Sequence, residues 1–91
     1  MPRFMIERAL PNIGIASPEE LKAAAIRSNE VLAELAPDIQ WIESYVATDK
    51  TFCIYIATEE ATIRKHAELS GFPATTITEI SKVIDPTTAE S

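Results

Sequence analysis

The run KTFCIYIA, Lys50 to Ala57, constrains the fold more than any other stretch, because as a strand it is apolar on both sides. Phe52, Ile54 and Ile56 share one face and Cys53, Tyr55 and Ala57 the other, so neither face suits water. A strand of this kind belongs in the centre of a sheet that is covered on both sides. The rest of the chain has to supply the neighbouring strands and the covering layers.

Arg3 to Leu10 (RFMIERAL) is a short apolar run closed by PNIG, whose Pro and Gly mark a turn, and it predicts a first strand. SPEE then starts a helix, with Ser17 as N-cap, Pro18 at the first helical position and Glu20 completing a capping box. Leu21, Ala25, Ser28, Leu32 and Leu35, flanked by Ala24 and Val31, recur at helical spacing as one apolar stripe, until Pro37 stops the helix. Ile39 to Thr48 is rich in β-branched and aromatic residues and predicts the second strand, tightly connected through Asp49 and Lys50 to the third, Thr51 to Ala57. Thr58 caps a second helix that runs to Gly71, placed for a left-handed C-cap, and Thr75 to Ile84 predicts a fourth strand.

The order βαββαβ is that of the ferredoxin-like α+β folds, with a four-stranded antiparallel sheet, both helices on one face and the first and third strands central. Residues 1–84 are expected to form this domain and 85–91 (DPTTAES) a mobile tail. Two helices cover one face only, so the open face predicts a homodimer packed sheet against sheet. Hairpin register decides what accompanies the central strand. An even loop aligns Ile42, Ser44 and Val46 with Cys53 and Tyr55, whereas an odd loop aligns Trp41, Glu43 and Tyr45 with them. Short two-residue or four-residue loops favour the first arrangement.

Fourteen acidic against eight basic residues leave a net charge of −6, which disfavours nucleic acid and anionic membranes and favours cations. A single cysteine forms no internal disulfide, and MPRFMIERAL has no long apolar segment or cleavage pattern, so a cytoplasmic location is expected. With only two glycines the chain has no phosphate-cradling loop, and it has no Cys-x-x-Cys, His-Glu-x-x-His or nucleophile elbow. What remains is a sparse set of reactive side chains: Glu7, Tyr45, Cys53, Tyr55 and the lone His66.

Cys53, among apolar neighbours, reads first as a small packing residue and second as a wall of a site. Tyr45 and Tyr55 bring aromatic area and a hydroxyl that needs a partner when buried, for which Glu7 or Ser44 is available. Glu7, mid-strand, must be paired with Arg or Lys of a helix or the other subunit, bind a cation, or act as an acid or base. His66 is placed at the core-facing edge of the second helix, where packing and metal ligation compete.

FMIER (Phe4 to Arg8), WIESYV (Trp41 to Val46), DKTFCIYIA (Asp49 to Ala57) and HAELSGFP (His66 to Pro73) resemble, in order and spacing, a family of small bacterial proteins that includes a nickel-binding protein. The resemblance spans nearly the whole chain. It implies a ferredoxin-like homodimer that binds nickel or another divalent transition metal, with His66 and Glu7 as metal ligands and Tyr45, Cys53 and Tyr55 as further polar candidates. With one His and one Cys per chain, such a site is expected to be shared between subunits or rich in carboxylates.

Two functions of different class follow. The first is a divalent-metal binding dimer. The second is a cofactor-free enzyme acting on a small molecule in a pocket between sheet and helices, with Glu7 or His66 as general base and Tyr55 or Tyr45 donating to a developing oxyanion. A mainly apolar pocket touching these side chains would favour the second.

Overall fold

The computed structural model describes residues 1–91. Four strands, β1 (Arg3–Ala9), β2 (Ile39–Val46), β3 (Lys50–Ala57) and β4 (Thr76–Ile80), and two helices, α1 (Pro18–Leu35) and α2 (Glu60–Ser70), follow one another as β1-α1-β2-β3-α2-β4. All three strand pairings are antiparallel, and the spatial order β2-β3-β1-β4 puts the doubly apolar β3 beside β1 in the centre. This α+β arrangement fits a ferredoxin-like fold. No helix is long and apolar enough to cross a membrane.

Phe4 and Ile6 of β1, Ile39 of β2, and Cys53, Tyr55 and Ala57 of β3 form one buried cluster with Ile63 of α2. Leu32 and Leu35 of α1 pack against the same cluster, so both helices cover the same side of the sheet. The opposite side carries Met5, Phe52, Ile54 and Ile56 with Glu7, Lys50 and Tyr45 around them.

The entry into α1 is as the sequence predicts. Ser17 Oγ accepts from Glu20 N at 3.1 Å, Glu20 Oε1 accepts from Ser17 N at 3.1 Å, and Pro18 opens the helix. That hydrogen bonding holds the Glu20 carboxyl below its usual range. At the end of α2, Gly71 adopts φ 81° and its N–H bonds Ala67 O at 2.9 Å. Only glycine takes that left-handed C-cap without a steric cost.

Several boundaries differ. The N-cap of α2 is Glu59, not Thr58, whose hydroxyl instead meets that of Thr62 at 3.2 Å. β4 ends at Ile80, four residues before Ile84, because past it the chain has no strand partner on β1 beyond Arg3. In residues 85–91, Asp85 caps a short 3-10 helix at Pro86–Glu90 by accepting from Thr87 N at 2.8 Å.

The hairpin register contains both alternatives. Val46 and Ser44 oppose Thr51 and Cys53, the even-loop pairing, but a bulge between Trp41 and Glu43 switches the parity, so that Trp41 opposes Tyr55 and Ile39 opposes Ala57. The extra residue, Ile42, is left exposed. A bulge of this kind re-aims a side chain, and here it turns Trp41 to the helix-covered side. The tip of the hairpin is held by the 3-10 turn Ile13–Ile15, with Leu10 N donating to Asp49 O at 3.0 Å and Gly14 N to Thr48 O at 2.9 Å. Gly14 permits that approach, since a Cβ there would lie 2.8 Å from Thr48 Cα.

Candidate functional site

Alternation along β1 turns Phe4, Ile6 and Arg8 to the helix side and Glu7 to the open side. Arg8 is therefore a cation in the middle of a central strand, only 3% exposed. A buried charge has to be met by hydrogen bonds or an opposite charge, and no carboxylate lies within ion-pair distance of Arg8. Its guanidinium instead donates to Pro73 O at 2.9 Å, to Phe72 O at 3.4 Å and, from Nη2, to the Tyr55 hydroxyl at 3.4 Å. These two carbonyls follow directly on the left-handed Gly71 cap.

Tyr55 lies at the centre of this group. Its ring stacks on Trp41 with centroids 6.5 Å apart, meets His66 at 5.3 Å, and has the Arg8 guanidinium 5.8 Å from its centroid. Burial pushes its phenol up, opposed by the charge of Arg8 and by hydrogen bonding to Ser28. Trp41 Nε1 donates to Ser44 Oγ at 2.9 Å, which fixes the indole plane.

Between α1 and the sheet, Arg8, Trp41, Ser44 and Tyr55 border a partly enclosed, mostly apolar cavity of about 240 Å³. Its cause is visible in the side chains. Where α1 crosses the sheet it presents Ala24, Ala25 and Ser28, and opposite them stand Ser44, Thr51 and Cys53. Small faces small, and side chains that short do not fill the space between two layers. Cys53, 5% exposed and 3.6 Å from the Thr51 hydroxyl, and Tyr55 form part of the floor; Arg8 stands at the wall.

The five sequence candidates are not brought together. Cys53 and Tyr55 line the cavity, whereas Tyr45 does not: it is 54% exposed on the open face, where the Glu43 carboxylate raises its phenol. Glu7 is also on the open face, 3.7 Å from Lys50 of the adjacent strand, so its partner within the chain comes from the sheet and not from a helix. A half-exposed pair of this kind contributes about 0–1 kcal/mol. The hydrogen-bond partner of the Tyr55 hydroxyl is Arg8, neither Glu7 nor Ser44.

His66 is not at an edge but fully enclosed, and it does not line the cavity. Its Nε2 is 3.1 Å from Ser28 Oγ and its Nδ1 has no partner. Burial, then the Arg8 charge, push the imidazole down to about 4, against a weaker opposing contribution from Ser28. His66 and Glu7 lie on opposite sides of the sheet, and nowhere do three His, Cys, Asp or Glu side chains converge to hold a metal ion. With no two further His, Cys, Asp or Glu side chains converging on it, His66 does not make a nickel site within one chain.

Arg8 and Trp41 are the site residues that sequence reading missed. Arg8 shares its parity with Phe4 and Ile6, which is the signal that would have found it; Trp41 needed the bulge, for which the sequence offers neither Gly nor Pro.

The position of His66 makes stability depend on pH. An imidazole near 4 when folded and about 6.5 when unfolded takes up its proton preferentially in the unfolded chain. The corresponding stabilisation is complete above pH 6.5 and is lost progressively as pH falls toward 4, by up to roughly 3 kcal/mol. Urea unfolding across this window should show the loss in the wild type and a flatter profile in His66→Gln. Equal slopes in the two proteins would remove His66 as the cause.

The family described as nickel responsive protein SCO4226-like matches residues 4–80. Among solved structures, the crystal structure of SCO4226 from Streptomyces coelicolor A3(2) is similar, with a TM-score of 0.75 and 16% identity over 90% of this chain and 99% of that one. No protein of curated function matches. On the match to its family, which extends from β1 through the last residue of β4, the chain belongs to the SCO4226-like family of nickel responsive proteins.

Proposed function

We propose that the protein binds a small, mostly apolar molecule in the cavity between α1 and the sheet. The observation that carries this reading is the cavity itself: about 240 Å³, walled mainly by apolar side chains, with Arg8, Ser28 and Tyr55 as convergent polar groups. The catalytic alternative has less support. No Asp, Glu or His lines the cavity, so neither Glu7 nor His66 stands where a general base would act.

Trp41, the single tryptophan, borders the cavity and reports on its contents. Titration with 3-phenylpropanoate or 3-phenylpropanamide should change its emission, and Ala25→Phe, whose ring fills the space, should abolish the response while the protein stays folded by circular dichroism. Wild-type emission indifferent to both probes would contradict the reading.

The working unit on this proposal is a cytoplasmic homodimer, in which a second copy covers Phe52, Ile54 and Ile56 on the side without helices. Phe52 and Ile56 are only half-buried within one chain, whereas Ile54 between them is already buried, and the partial exposure of this apolar row supports a second layer over it. The lone buried thiol is in keeping with a reducing compartment. Sedimentation should give a dimer for the wild type and a monomer for Ile56→Glu. A monomeric wild type would contradict the arrangement.

The family's nickel responsiveness supports a second reading, in which the dimer holds a divalent cation through carboxylates. Glu7, on the face proposed to meet the second copy, is then the ligand, and the enclosed His66 is not. Isothermal titration of nickel into tag-free protein should show binding that Glu7→Gln weakens by about tenfold or more and His66→Gln leaves intact. Absence of binding, or loss on His66→Gln instead, would overturn it.

A further inference from the structure

Arg8 is hydrogen-bonded to neutral acceptors only, and its positive charge is not answered by any acid in the chain. The cavity wall contains no Asp or Glu, no Lys and no second Arg, so Arg8 is the single formal charge facing that space. The adjacent His66 is held neutral by burial and by Arg8 itself. Within the guanidinium, Nη1 is committed to the Phe72 and Pro73 carbonyls, Nη2 makes one hydrogen bond, to the phenol, and Nε makes none. A guanidinium has five N–H donors in a planar fork whose geometry matches the two oxygens of a carboxylate.

On these grounds we infer that the cavity takes a small monocarboxylate with an apolar body, its carboxylate held by Arg8 and the Tyr55 hydroxyl. The inference rests on the cavity being a ligand site and adds the chemical class of the ligand. At about 240 Å³ the space lies below the roughly 300 Å³ at which drug-sized pockets begin, which limits the occupant to a single ring or a short chain. The body of such a ligand would lie against Cys53, Ala25 and the face of Trp41. Of the groups at the wall, Arg8 supplies charge, while Tyr55 supplies a hydroxyl whose proton burial retains. The net charge of −6 does not oppose this, because exposed charges more than about 10 Å away are largely screened at 0.1 M salt, whereas a buried guanidinium is not.

The experiment compares 3-phenylpropanoate with 3-phenylpropanamide, alike in shape and different in charge, by isothermal titration at pH 7. Wild-type protein should bind the acid at least about tenfold more tightly than the amide. Arg8→Gln should bind the two equally, and Arg8→Lys, which keeps the charge without the fork, should retain part of the preference. Equal affinity for acid and amide in the wild type, or a preference undiminished in either variant, would overturn the carboxylate inference while leaving the cavity as a ligand site. Absence of binding by both probes to the wild type would overturn the cavity reading, and the inference with it. Should Arg8→Gln fail to fold, the wild-type comparison and Arg8→Lys still decide.

Discussion

A guanidinium buried on the inner side of a central strand imposes conditions on everything packed around it. Removing a charge from water costs several kcal/mol unless donors find acceptors, and Arg8 finds them in a loop far away in sequence, at Phe72 and Pro73. That requirement couples the Gly71 cap, and the entry to β4, to the centre of the sheet. It also orients Tyr55, which receives a hydrogen bond from Nη2, and its charge adds to the larger effect of burial in lowering the His66 imidazole. The polar interior is therefore a chain of contacts, running from the loop through Arg8 and Tyr55 to His66 and on to Ser28.

The cavity arises where this polar group meets a mismatch in packing. α1 and the sheet approach through short side chains, and the bulge after Trp41 brings an indole round to close one side. Without the bulge, strand alternation would place Ile42 inward and Trp41 in solvent. The 3-10 turn at Ile13–Ile15, latched to the hairpin by Gly14, contributes Ile13 to the cavity wall. Binding capacity here comes from irregular features: a bulge, a left-handed cap and a turn held against a hairpin tip.

Much of the fold was legible because it rests on local and periodic signals. The capping box Ser17-Pro18-Glu19-Glu20, the Gly71 stop and the two-sided apolarity of KTFCIYIA each act over a few residues, and together they imply the element order and the central position of β3. The site was less legible because it depends on parity and on distant partners. Glu7 drew attention as the odd charge in β1, yet the alternation that turns it outward to Lys50 is the same one that buries Arg8. His66 is peripheral in the helical pattern because nothing local announces that Tyr55 and Ser28 will pack against it. The parity switch in β2 leaves no mark in composition, so neither register alternative alone described the hairpin.

The small-residue gap beneath α1, with Arg8 at its wall, is the proposed ligand site. The most direct measurement is a 1H–15N correlation spectrum recorded during titration with 3-phenylpropanoate, in which Arg8 Nε–H and Trp41 Nε1–H are both visible probes. Binding at this site should give saturable shifts in these two signals and in the amides of Ala24, Ala25 and Ser28, with Phe52 and Ile56 on the other side of the sheet little changed. Shifts confined to the open face, or an unperturbed Arg8 Nε–H at saturation, would contradict it.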